Sequence, residues 1–169
     1  MKEAFIVLLV LVGLGAGGWA LTNVDFDLPA PIMQEATYPE PTNYAVDAAG
    51  VLTPEQLASL NARLRGLAGG GQEIGIAIVP SLYGQSVEQY SMTLAEKWKV
   101  GDDTLDNGIL IVLAPNERKV RLEIGYGLEA TINDSKAGRI VDEYMIPSLK
   151  ENKWYDALVG GIEGIAANN

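Results

Sequence analysis

The stretch Gly108-Ile109-Leu110-Ile111-Val112-Leu113-Ala114-Pro115-Asn116-Glu117-Arg118-Lys119-Val120-Arg121-Leu122-Glu123-Ile124 decides the class of fold. Its first seven residues are apolar or small without a break, the pattern of a strand covered on both faces. Pro115-Asn116 turns the chain. From Arg118 the pattern alternates: Val120, Leu122 and Ile124 face inward, while Lys119, Arg121 and Glu123 face outward. The reading is a central strand with a hairpin partner. The charged face of the second strand reads as solvated, with a docking surface as the alternative.

Working upstream, Ser86-Val87-Glu88-Gln89 is a capping box that opens a helix running to about Trp98. Before it, Ile74 to Val79 is a short buried strand closed by Pro80. Thr53-Pro54-Glu55-Gln56 is a second capping box, with Pro at the first helical position. Leu57, Leu60, Leu64 and Leu67 follow on one face until Gly69-Gly70-Gly71 ends that helix. Downstream, Asn133 or Asp134 caps a third helix carrying Ile140, Val141 and Tyr144, with Pro147 near its end. A fourth runs from Lys153 to Ala167 with the stripe Trp154, Leu158, Ile162 and Ile165. Helix, strand, helix, hairpin, helix, helix predicts an α/β fold: a small mixed sheet between layers of helices.

The 169-residue chain holds 48% hydrophobic and 20% charged residues, enough for one globular domain and an appendage. Twelve Lys and Arg against 22 Asp and Glu give a net charge of -10, which repels phosphate backbones and disfavours nucleic acid as a partner. With no Cys and no His, thiol nucleophiles, Ser-His-Asp triads, iron–sulfur clusters and the usual zinc sites are excluded. Any chemistry would rest on carboxylates, hydroxyls, amides, Lys, Arg or a hard cation.

Residues 1–24 predict one N-terminal transmembrane helix. From Ala4 to Val24 no residue is charged, Lys2 precedes the run, and Asp25 and Asp27 follow it. Positive-inside logic puts the N-terminus in the cytoplasm and the rest on the periplasmic, extracytoplasmic side. The rival is a signal peptide cleaved after Gly18-Trp19-Ala20. Residues 25–42 hold Pro29, Pro31, Pro39 and Pro41 and read as an extended linker. Phe26, Ile32, Met33 and Tyr38 also allow an arm that docks on a partner. The globular domain is predicted over 43–169.

If 108–114 and 118–124 pair as a hairpin, the entrance of the first strand and the exit of the second share one end of the sheet. Asp102, Asp103, Asp106 and Asn107 then lie beside Gly125-Tyr126-Gly127-Leu128-Glu129, with Asn133 and Asp134 close behind. Carboxylates and amides gathered this way suit Ca²⁺ or Mg²⁺, although without the ligand alternation of an EF-hand. Turn and cap chemistry is the alternative explanation of the same residues. Trp98, Trp154 and Tyr126 read as packing residues, with Tyr126 the most open because glycines flank it.

Several strings carry a resemblance: Asn43-Tyr44-Ala45-Val46-Asp47-Ala48-Ala49-Gly50-Val51-Leu52-Thr53, Gln72-Glu73-Ile74, Ala95-Glu96-Lys97-Trp98-Lys99-Val100-Gly101, Asp106-Asn107-Gly108-Ile109-Leu110, Gly125-Tyr126-Gly127-Leu128-Glu129, Asp134 and Ile146-Pro147. From about residue 43 onward the chain resembles the TPM domain, a family named for a thylakoid lumen phosphatase, a photosystem II repair subunit and an acetylcholine-receptor modulator. The resemblance implies a three-layer α/β/α sandwich, membrane tethering, and a Ca²⁺- or Mg²⁺-type site at Asp47, Asp106, Asn107, Glu129 and Asp134. It also implies an accessory or assembly subunit of an integral membrane protein complex, a photosynthetic one among the candidates. The alternative is a metal-dependent acid phosphatase: a cation on Asp106, Asp134 and Glu129 would polarise the phosphoryl oxygen while Asp47 activates water. Against that, no Lys or Arg lies within the motifs that carry these four acids to clamp phosphate. Arg118, Arg121 and Arg139 are the nearest candidates.

Overall fold

The computed structural model describes residues 35–69, 73–102 and 104–168, all within the compact unit Met33–Asn169. The expected membrane helix, the linker up to residue 34 and Asp103 lie outside the described residues. Among those described, no helix is long and apolar enough to cross a membrane.

Four strands form one sheet in the order β1 (Ala45–Asp47), β2 (Glu73–Ile78), β3 (Gly108–Ala114) and β4 (Lys119–Ile124). The first three are parallel, and β4 returns antiparallel to β3, with Ile109 opposite Ile124 and Leu113 opposite Val120. The predicted hairpin is therefore present, and every residue of β3 is buried.

Alternation along the strands feeds two cores. Ile74, Ile76, Ile78, Ile109, Ile111, Leu113 and Leu122 pack with Leu60 and Leu64 of α1 (Pro54–Ala68), Ile140 of α3 (Asp134–Ile140) and Leu158, Ile162 and Ile165 of α5 (Trp154–Asn168). On the other face Ala77, Val79, Leu110, Val112 and Ala114 pack with Tyr90, Leu94 and Trp98 of α2 (Val87–Trp98). The result is the expected α/β/α sandwich. Both crossovers step the same way across the sheet, yet α1 and α2 lie on opposite faces. The two connections thus have opposite hands, and one of them runs against the strong right-handed preference. Gly75 eases the close seating of the α2 end, because a Cβ there would lie 3.1 Å from Val100 and 3.4 Å from Trp98.

Both predicted capping boxes are formed, Thr53 with Gln56 and Ser86 with Gln89. Three local expectations change. The charged side of β4 is not a free solvated face: α2 packs over it, and Glu123 accepts hydrogen bonds from the buried Ser91 hydroxyl and from Arg121 Nε. Pro147 lies near the end of its helical stretch, as expected, but that stretch is not one regular α-helix. The chain widens into a π-type turn at Val141–Met145 and re-forms as α4 (Ile146–Lys150), whose first turn tolerates a residue without an N–H. The three-residue β1 went unread, since Tyr44-Ala45-Val46-Asp47 has no strand pattern of its own length.

An amide replaces the missing neighbour at the edge of β1. Buried Asn61 on α1 accepts from the Ala45 N–H at 2.8 Å and donates to the Ala45 and Leu57 carbonyls, both at 3.1 Å. The side chain acts as one more rung of the sheet and ties α1 to its edge. Replacing Asn61 with Leu should destabilise the domain by about 2 kcal/mol, because a buried N–H and C=O lose their partners together. Denaturant unfolding and amide exchange at Ala45 check this, the latter rising well above that of Ile76.

Candidate functional site

The loop before β3 folds back on itself. Asp102 Oδ1 accepts from the Thr104 and Leu105 N–H groups at 2.8 and 3.0 Å, and Asn107 Oδ1 accepts from the Asp102 N–H at 2.9 Å. Asp106 adopts φ 50°, a left-handed conformation that Asp tolerates. This loop is stitched to the one after β4: Gly125 N–H donates to the Gly108 carbonyl at 2.8 Å, and Gly127 N–H donates to the Asp106 carbonyl at 2.9 Å. The approach demands glycine, because a Cβ on Gly127 would stand 1.9 Å from the Leu105 carbonyl oxygen and one on Gly125 2.2 Å from that of Asp106. After a short 3₁₀ turn at Tyr126–Leu128, Asn133 caps α3 by accepting from the Lys136 N–H at 3.0 Å, leaving Asp134 exposed in the first turn.

Of the five residues singled out in the sequence, Asp106, Asn107 and Glu129 therefore belong to loops at one end of the sheet, and Asp134 opens the helix that follows them. Asp47 lies elsewhere. It pairs with Ile78 at the carboxyl ends of the parallel strands, whereas Gly108 pairs with Glu73 five residues away, about 16 Å along the sheet. The Asp47 carboxylate is engaged there, accepting from the N–H groups of Ala49, Gly50 and Leu52 at 3.1, 2.8 and 2.8 Å. It closes the turn into α1 and stands apart from the rest.

Asn107 spends its oxygen on the loop, and among the described residues no three acidic side chains converge to hold a metal ion. The carboxylates of Asp106, Glu129 and Asp134 are exposed and have no hydrogen-bond or ion-pair partner among the described residues. Of the nearby cations, Arg121 is bound to Glu123 and Lys136 Nζ donates to the Thr131 and Asn168 carbonyls at 2.7 and 3.1 Å, whereas Arg139 reaches only the Ser135 hydroxyl at 3.5 Å. The site is an acidic surface around two apolar side chains, Leu105 and Tyr126, which are 62% and 76% exposed. Tyr126 is as open as the flanking glycines suggested. Leu105 carried no signal in the sequence, where a lone Leu between Thr104 and Asp106 looks like any loop residue.

The TPM domain family matches residues 45–168. The chain is a member of the TPM domain family. A solution structure of the N-terminal domain of a protein from P. gingivalis is 30% identical, with a TM-score of 0.67 over 77% of this chain and 90% of that one. Two more share the fold. They are the N-terminal domain of a Corynebacterium glutamicum protein (16% identity, TM-score 0.60, 79% and 86% coverage) and the BA42 protein of the psychrophilic bacterium Bizionia argentinensis (19%, 0.56, 67% and 77%). No curated protein matches the sequence.

In this TPM domain the two ends of the sheet respond differently to change. Asp47→Ala should cost about 2–3 kcal/mol of unfolding free energy, because three backbone donors lose their acceptor, and added Ca²⁺ should leave that loss unaltered. At the other end, the Thr104 and Leu105 amides hold the Asp102 carboxyl below its ordinary value of 3.8. A lowered folded-state pKa contributes loop stability that is present above the ordinary value and lost as pH falls through the depressed one. Amide chemical shifts of Thr104 and Leu105 should therefore stay constant from neutral pH down to about 4 and move together below it.

Proposed function

We propose that this TPM domain is a non-catalytic accessory subunit. Residues 4–24 tether it to a membrane with the domain outside the cytoplasm, and the loop end of its sheet binds a larger membrane protein complex. The observation that carries the reading is the pair Leu105 and Tyr126. Two large apolar side chains stand in water on loops that are locked together through Gly125 and Gly127. Solvent-exposed apolar groups on a rigid support suit a partner surface.

The phosphatase reading draws less support. It needs an assembled cation or a cationic clamp, and Asp47 sits about 16 Å along the sheet from the strand end where β3 begins, while Arg121 and Lys136 are already engaged. A net charge of -10 works further against anionic substrates.

Mild detergent extraction of native membranes followed by size analysis tests the proposal. The wild-type chain should migrate within a larger assembly. Tyr126→Ala combined with Leu105→Ala should release it, weakening association about 30-fold or more while shifting unfolding by only about 0.5 kcal/mol. A wild-type chain that migrates alone, or a double variant that stays in the assembly, rejects the accessory role at this surface.

A further inference from the structure

A second polar and aromatic constellation lies on the far side of the molecule's α2 layer and is filled by the chain itself. The Tyr90 hydroxyl donates to the Thr37 carbonyl at 2.7 Å, and the Trp98 indole N–H donates to the Pro39 carbonyl at 2.7 Å. Tyr38 stacks on Tyr90 with ring centroids 4.7 Å apart and planes 27° from parallel. Its hydroxyl meets the Gln85 side-chain amide at 3.2–3.3 Å, and Lys97 Nζ sits 5.3 Å from its ring centre. A cavity of about 450 Å³ runs between this strap, Lys97 and Trp98.

The chemistry is that of peptide recognition. The strap Ala36-Thr37-Tyr38-Pro39-Glu40-Pro41 joins no sheet, so its carbonyls at alternate residues are the handles, and two buried aromatic donors take them. Proline at 39 and 41 restricts the free chain, so less entropy is lost on docking. Tyr90 is fully buried, which raises its hydroxyl pKa well above the ordinary tyrosine value and keeps the phenol protonated and able to donate. Removing the strap would strand the acceptor-less phenol and indole and expose an aromatic patch, so the surface calls for an occupant of this kind.

We propose that Gln85, Tyr90, Lys97 and Trp98 form a peptide-binding site for an extended, proline-flanked tyrosine segment. Residues 36–41 of the same chain fill it in cis, and the same sequence supplied in trans can replace them. Exchange follows from how the strap is held: a ring stack and a few side-chain hydrogen bonds, with no ladder and no helix, which places its opening at the low-stability end of the domain.

The full-length chain in detergent provides the test. Cleavage after Glu35 and Glu40 by a glutamate-specific protease reads strap release, and a fluorescent peptide of residues 33–42 reads the vacated site. In the wild type, cleavage should be slow and the peptide should bind weakly against its tethered competitor. Tyr38→Ala should be cut about tenfold faster and bind the peptide about tenfold more tightly, while a peptide carrying Ala at position 38 should not bind. Trp98→Phe, which keeps the ring but removes the donor, should also speed cleavage and should weaken peptide binding in the Tyr38→Ala background. Equal cleavage of the wild type and a folded Tyr38→Ala variant overturns the clasp. Released straps without peptide binding overturn the site. Loss of the whole fold in both variants makes the strap part of the core and also overturns it.

Discussion

β3 has to be covered on both faces, and the rest of the domain is arranged to do it. Ile109, Ile111 and Leu113 point one way and Leu110, Val112 and Ala114 the other, all of them buried. Leaving either large aliphatic set in water would forfeit about 2 kcal/mol per side chain, which a domain of ordinary marginal stability cannot tolerate. Two helical layers are therefore needed: α1, α3 and α5 cover one face and α2 covers the other. The unequal handedness of the crossovers is a consequence of that division. It is stabilised by the α2 core of Tyr90, Leu94 and Trp98 and by a sheet thinned at Gly75 where the end of that helix seats.

The same topology explains where the open chemistry lies. The connections leaving the carboxyl ends of β1 and β2 pass to opposite faces, an arrangement that opens a ligand crevice in doubly wound sheets. That end is instead closed by Asp47 saturating the turn into α1. The opposite end, where β3 begins and β4 finishes, carries two loops that bond to each other through backbone rather than through side chains. Apart from Asp102 and Asn107, which brace the first loop, the described acids are left free, so the exposed carboxylates of Asp106, Glu129 and Asp134 share this end with Leu105 and Tyr126. A surface of this kind is suited to holding a partner.

Some of this was legible from local residue pattern and some was not. The capping boxes at Thr53 and Ser86 read directly, since a cap depends on residues three apart in the chain. The hairpin read equally well, and with it the meeting of the Asp106 and Gly125 loops. Residue pattern could not place Asp47 relative to the other acids, because the position of an acid in a family string says nothing about which end of a sheet its strand presents. It missed β1, whose three residues are a strand only because β2 and the Asn61 amide flank them. The charged side of β4 looked solvated because alternation reports which residues share a face, without reporting what covers that face.

Sequence alone thus determined everything governed by short-range rules: the caps, the buried run of β3, the alternation of β4, the turn at Pro115-Asn116 and the overall acidity. These rest on contacts within a few residues or on composition, and they hold whatever the neighbours do. Tertiary structure decided which face each helix covers, that the helical stretch before Pro147 widens into a π-type turn, which acids share an end, and that Thr37, Tyr38 and Pro39 dock on α2 instead of trailing as a tether. Each of those depends on groups far apart in the chain, such as the indole of Trp98 meeting a carbonyl 59 residues away, and pairings at that distance exist only once the sheet has brought them together.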